Sequence, residues 1–300
     1  TTDTLVVAGS ATVTISDANT TAITAANLSA IGAKTSGAVT VTNAIAISGT
    51  QAEVTAALVT TDDLVVASTA TVTISDANTT AITAANLSAI GAKTSGAVTV
   101  TNAIAISGTQ AEVTAALVTT DTLVVAGSAT VTISDAVTIA QLTAIDAKTS
   151  GTITYTSISD TASNLAANTG SYVTGAVDVT ITDGITAAQL VTINALTSGE
   201  ITLNDTNDTL TDSTADLVAA FTGTVTAYTG AITINDANTT AITAANLSTI
   251  GGETSGAVTV TNAIAISGTQ AEVTAALVTT DTLVVAGSAT VTISDANTTA

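Results

Sequence analysis

Carboxylates are the only side chains of this sequence that recur in a chemically suggestive pattern. Asp17 closes the run Thr12-Val13-Thr14-Ile15-Ser16-Asp17, and Asp76, Asp135, Asp183, Asp236 and Asp295 close the related runs. Oxygen ligands repeated at strand ends are of the kind that holds Ca²⁺. An aspartate there also ends a strand by accepting nearby backbone N–H groups in an Asx-turn. One carboxylate per copy, flanked by Ala, Asn and Thr, is too few for a calcium cage, so the column reads as structural. The densest acidic group, Asp205, Asp208, Asp212 and Asp216 in NDTNDTLTDSTAD, is the candidate Ca²⁺ site. No other cofactor is called for. Paired carboxylates also hydrolyse glycosides, but that reaction needs sugar-stacking aromatics, and the chain has one Phe and three Tyr. Thr50 and Glu53 have capping-box spacing rather than that of a nucleophile and its base. The expectation is a protein that is not an enzyme.

Composition narrows the field further. The 300 residues carry a formal charge of -20, and Lys34, Lys93 and Lys148 are the only cationic side chains. Nucleic-acid affinity rests on cationic contacts to phosphate, so no nucleic-acid partner is expected. His and Arg are absent as well as Cys, which removes thiol catalysis, zinc–thiolate sites and the commonest general base. No apolar run approaches the roughly 18 residues of a membrane span, and no basic segment opens a signal peptide. Charged residues are 9% and hydrophobic residues 46%, the reverse of a disordered composition.

The elements that position the aspartates follow from repetition, which is read first where it exists. Residues 1–59 and 60–118 differ only at Thr4/Asp63, Gly9/Ser68 and Ser10/Thr69. Spacings between the aligned aspartates are 59, 59, 48, 53 and 59 residues. Each copy splits into two halves. In the first, Val13 and Ile15 alternate with Thr as a half-buried strand. Thr24 then caps a short helix carrying Leu28 and Ile31 on one face, and Thr35-Ser36-Gly37 marks its exit. Thr138 to Gly151 and Thr186 to Gly199 repeat this form in the diverged middle. In the second half Val39 and Val41 precede Ile45 and Ile47, and Thr50 opens a second helix bearing Val54 and Leu58.

A strand and a marginal two-turn helix per half predict one continuous array over residues 1–300. Its units are about 11–69, 70–128, 129–176, 177–229, 230–288 and a partial 289–300. The expected fold is a rod-like parallel β-solenoid with a short helix or loop per rung, a β/α solenoid. An all-β solenoid and tandem β-sandwich domains are the alternatives. Val13, Val72, Val131, Val179, Ile232 and Val291 are expected to form an aliphatic column with Val39 and Val98. Thr1–Ala22 and Thr279–Ala300 are the same 22 residues and neither is a distinct cap, so a longer parent chain is expected.

Ser159–Asn168 (SDTASNLAAN), followed by Val177–Asp183, resembles the Thr/Ala-rich tandem-repeat regions of giant secreted or cell-surface proteins of marine bacteria and cyanobacteria. "SDTAANL" and "ITLTD" elements recur in those regions. The resemblance implies an extracellular or cell-surface place in surface layers, adhesive or motility-associated proteins, exported by a one-step route, and it carries over no catalytic residue. The functional expectation is therefore an extracellular structural repeat protein that forms a filament, sheath or surface layer by regular stacking. Its partner would be itself, with surface polysaccharide as a further candidate. The alternative is the stalk of a large secreted adhesin or motility-associated surface protein.

Overall fold

The computed structural model describes residues 9–60, 65–203, 209–226 and 228–295. Among them ten α-helices alternate with short strands: α1 (Ala25–Gly32), α2 (Gln51–Leu58), α3 (Ala84–Gly91), α4 (Gln110–Leu117), α5 (Ile139–Asp146), α6 (Ala162–Ala167), α7 (Ala187–Asn194), α8 (Thr214–Ala220), α9 (Ala244–Gly252) and α10 (Gln270–Leu277). Each is preceded by a Thr or Ser whose hydroxyl accepts an N–H of the first turn. Such a cap is worth about 1 kcal/mol, a large share for so short a helix. Thr50 and Glu53 form a reciprocal capping box at α2, and Thr109 with Glu112 repeats it at α4. Buried Leu28, Leu87 and Leu247 anchor the copies of the first helix, and Val54 and Leu58 anchor α2.

The chain divides into two compact units, 1–155 and 156–300. In the first, α1 packs on α2, α3 on α4 and α4 on α5. Its strands form three parallel sheets. One holds Val13–Ile15, Val39–Val41 and Val65–Val66. The second has five strands: Ala22–Thr24, Ala46–Gly49, Thr71–Ile74, Val98–Val100 and Val124–Val125. The third joins Ala81–Thr83, Ala105–Gly108, Thr130–Ile133 and Ile153–Thr154.

In the second unit α6 packs on α7, α7 on α8, α8 on α9 and α9 on α10. Its sheets are Ser157–Asp160 with Asp178–Ile181 and Ile201–Leu203; Leu210–Asp212 with Ile232–Ile234, Val258–Val260 and Val284–Val285; and Ala241–Thr243 with Ala265–Gly268 and Thr290–Ile293. Register partners lie between 21 residues apart (Ser157 to Asp178) and 26 (Val13 to Val39).

This is an α/β fold of several separate parallel sheets, not the single continuous β-solenoid rod that the repeat suggests. The physical cause is the shortness of the strands. Val65–Val66, Val124–Val125 and Val284–Val285 are two residues long and each closes one edge of a sheet, its second valine 46–53% exposed. The helices rule out the all-β form. Parallel pairing throughout the described sheets rules out β-sandwich domains, which are antiparallel.

The expected aliphatic column is distributed over these sheets. Val13 pairs with Val39, Val72 with Ile47 and Val98, Val131 with Ile106 and Ile153, Val179 with Ile201, and Ile232 with Val258. Val72, Val131, Val179 and Ile232 are buried, whereas Val291 is 45% exposed.

Candidate functional site

Five of the six aspartates of the column are used in one way. Asp76 accepts the backbone N–H of Gln51 at 2.6 Å, Asp135 that of Gln110 at 2.5 Å, and Asp183 that of Ala162 at 2.7 Å. Asp236 takes both the N–H and the hydroxyl of Thr214, at 2.7 and 2.6 Å, and Asp295 accepts the N–H of Gln270. Each of these donors is the first residue of a helix: α2, α4, α6, α8 or α10. A helix start has unpaired N–H groups and a positive dipole end, so a carboxylate held there is stabilising. The sequence suggests a local Asx-turn. The donor instead lies 21–25 residues earlier, on the preceding strand-and-helix step. The Asp17 carbonyl accepts the side-chain amide of Asn43 at 2.7 Å.

A second contact joins the same successive steps, through the Thr-Ser-Gly triplets. The hydroxyl of Thr35 donates to the carbonyl of Ala11, Thr94 to Ala70, Thr149 to Ala129, Thr197 to Val177 and Thr254 to Gly230, at 2.5–2.7 Å. The following serine N–H donates to the carbonyl of Gly9, Ser68, Gly127 or Gly175 at Ser36, Ser95, Ser150 and Ser198. The glycine N–H donates back to the threonine oxygen, as Gly96 does to Thr94 at 3.0 Å. A Cβ on Gly96 would stand 2.1 Å from the Ala70 carbonyl oxygen, and one on Gly151 2.1 Å from that of Ala129. Glycine is therefore required by close backbone approach. Thr149, Thr197 and Thr254 are among the few buried polar residues. Reading the triplet as a helix exit misses this role. The available signal was its return intact in the diverged copies.

Asparagines add a third link. The side-chain amide of Asn102 donates to the Asp76 carbonyl at 2.6 Å, and that of Asn262 to the Asp236 carbonyl at 2.8 Å. Asn19, Asn78 and Asn238 accept the N–H groups of Ala44, Ala103 and Ala263, each at 3.0 Å. The loop held this way places Thr20, Thr79 and Thr239 at φ of 64–66°, which is strained for a β-branched residue.

The four-aspartate candidate is only partly described. Asp205 and Asp208 lie outside the described residues. Asp212 accepts the N–H of Ser213 at 2.8 Å, and Asp216 accepts the Ser213 hydroxyl at 2.6 Å, so both are engaged at the start of α8. Among the described residues no group of three or more His, Cys, Asp and Glu is placed to hold a metal ion.

Open grooves indent the surface of the described residues. One of about 720 Å³ is lined by Lys93, Thr94, Ser95, Thr120 and Asp121 among others. Its counterpart of about 420 Å³ is lined by Glu253, Thr254, Ser255, Thr280 and Asp281. The repeat thus carries a cation in one groove and a second carboxylate in the other. Burial raises the Glu253 carboxyl above its ordinary value near 4.5. A third groove, lined by Val191, Asn194 and Thr222 among others, is uncharged. No helix among the described residues is long and apolar enough to cross a membrane.

No protein-family model, curated protein or solved structure matches this chain. The carboxylate, the triplet and the asparagine all join one strand-and-helix step to the next like it.

Proposed function

We infer that this chain is a structural repeat protein whose activity is self-association, and that it is not an enzyme. It would serve outside the cell as a component of a filament, sheath or surface layer. One observation carries the reading. The bond between a strand-end carboxylate and the first N–H of a helix one step back recurs at Asp76, Asp135, Asp183, Asp236 and Asp295, although the sequence around Asp183 is rewritten. What stays constant is the means of joining like to like, which is the property an assembling protein needs. The extracellular place rests on the resemblance of Ser159–Asn168 and Val177–Asp183 to surface-protein repeats.

Light scattering and negative-stain microscopy across a concentration series test this reading. Growth of mass with concentration, together with extended assemblies on the grid, supports it. A species of constant 28.8 kDa mass at every concentration contradicts it.

A further inference from the structure

The six aspartates of the column share a place at a strand end but not the residue that follows. Ala18, Ala77, Ala136, Ala237 and Ala296 follow five of them, and Gly184 follows Asp183. Asp183-Gly184 is the only Asp-Gly pair in the sequence, and no Asn-Gly pair occurs. An aspartate carboxyl closes a five-membered ring with the backbone nitrogen of the next residue when the two can meet. A Cβ on that next residue crowds their approach, and glycine removes the obstacle.

The surroundings leave both reacting groups accessible. The strand Asp178–Ile181 has ended before Asp183, which is exposed. Among the described residues the Asp183 carboxylate has one partner, the Ala162 N–H, which its Oδ1 accepts at 2.7 Å. Its Oδ2 is therefore free to leave. The Gly184 N–H has no acceptor among the described residues, so no hydrogen bond has to break before that nitrogen reacts. Asp236, by contrast, binds both the N–H and the hydroxyl of Thr214 and is followed by alanine.

We propose that Asp183 is a site of self-modification, where the Gly184 nitrogen attacks Asp183 Cγ and the resulting succinimide reopens to isoaspartate. In the closing step the C–N bond forms, the nitrogen gives up its proton, and a carboxyl oxygen leaves as water. Water then adds to one of the two ring carbonyls. Addition at Cγ restores aspartate. Addition at the former backbone carbonyl turns that carbon into a free carboxylate and sends the main chain through Cγ. Nothing is oxidised or reduced, and the product has the mass of the starting chain. Its main chain is longer by one methylene, and its carboxylate sits on Cα, displaced from the Ala162 N–H. Helix α6, the shortest of the described helices, then loses the carboxylate that meets its first N–H. The reaction needs no second molecule of this chain, so it stands apart from self-association.

Ageing the full chain in heavy-oxygen water at neutral pH tests this, because each reopening of the ring fixes one heavy oxygen. Peptides covering Asp183 and Asp76 are compared over time by electron-transfer mass spectrometry, which tells isoaspartate from aspartate. Asp183 is expected to take up label and form isoaspartate about tenfold faster than Asp76, the difference that a crowding Cβ makes to the barrier. Gly184→Ala installs the residue of the other five copies and is expected to bring Asp183 down to the rate of Asp76. Ala77→Gly is expected to raise Asp76 toward the rate of Asp183. Equal rates at the two sites of the unmodified chain overturn the proposal, as does an excess at Asp183 that survives Gly184→Ala or an Asp76 unmoved by Ala77→Gly. The isoaspartate form, separated by ion exchange, is expected to unfold at lower urea than the aspartate form. Coincident unfolding curves overturn the loss of the α6 contact.

Discussion

The Asp76 carboxylate stands 2.6 Å from the backbone nitrogen of Gln51 and so ends one strand while opening a helix 25 residues upstream. A single side chain from the later step thereby satisfies the first N–H of a helix that Thr50 caps. Asp76→Ala is expected to cost about 1 kcal/mol, the usual worth of an N-terminal cap plus its dipole contribution. Asp121→Ala removes an exposed carboxylate that lines an open groove and is expected to change stability by less than about 0.5 kcal/mol. Urea denaturation of the two variants checks the contrast.

The Thr-Ser-Gly joint makes a sharper prediction. Gly96→Ala forces a Cβ to within 2.1 Å of the Ala70 carbonyl oxygen, and the backbone has to part. A cost of about 1–3 kcal/mol is expected, the range for overpacking. Gly127 has nothing within 4 Å of its Cβ position and no positive φ, so Gly127→Ala is expected to be neutral or to stabilise by about 0.4–1 kcal/mol. Thr94→Val keeps the shape and deletes the hydroxyl shared by Ala70 and Gly96, for an expected loss of about 1–3 kcal/mol. Melting temperatures of the three variants rank the effects.

Much of the local structure was legible in the sequence, and the reason is chemical. Thr24, Thr50, Thr138 and Thr186 stand where helices begin, with an apolar stripe behind them, and cap and stripe are local signals. Sheet membership is not local. Nothing in Thr71–Ile74 alone says that its neighbours are Ala46–Gly49 and Val98–Val100. That depends on which segments lie 21 to 26 residues away and on how long their strands run. The two-residue strands at Val65 and Val124 end the sheets that the repeat alone would have continued. The partner of each aspartate was hidden for the same reason, since its donor sits on the previous step.

Strain in the Asn-Thr-Thr loop offers a third test. Thr79 holds φ at 64°, where a β-branched side chain crowds the backbone and glycine does not. Thr79→Gly is expected to stabilise by about 1 kcal/mol, the left-handed penalty per residue. Its hydroxyl bonds only the carbonyl of its neighbour Asn78, so little is lost in exchange. Thermal unfolding of Thr79→Gly beside Thr20→Gly and Thr239→Gly shows whether the three copies respond alike.

Glu253 carries the pH dependence that the structure makes explicit. Burial favours its protonated form and raises its pKa above the ordinary value near 4.5. The folded state then binds more protons than the unfolded state just above that pH, so stability falls as pH rises through the window. Glu253→Gln, or Glu253→Lys as in the copy at Lys93, is expected to flatten that fall and raise stability at neutral pH. Denaturation midpoints between pH 4 and 8 report it.

The central claim is that the chain joins to copies of itself, and its charge makes the decisive measurement simple. At a net charge of -20, copies repel, and screening shortens the reach of that repulsion to about 10 Å at 0.1 M salt and about 3 Å at 1 M. Light scattering of the unmodified chain at fixed concentration while salt is raised tests the claim most directly. The account predicts mass rising above 28.8 kDa in whole multiples as salt increases. A mass fixed at 28.8 kDa across the whole salt and concentration range contradicts it.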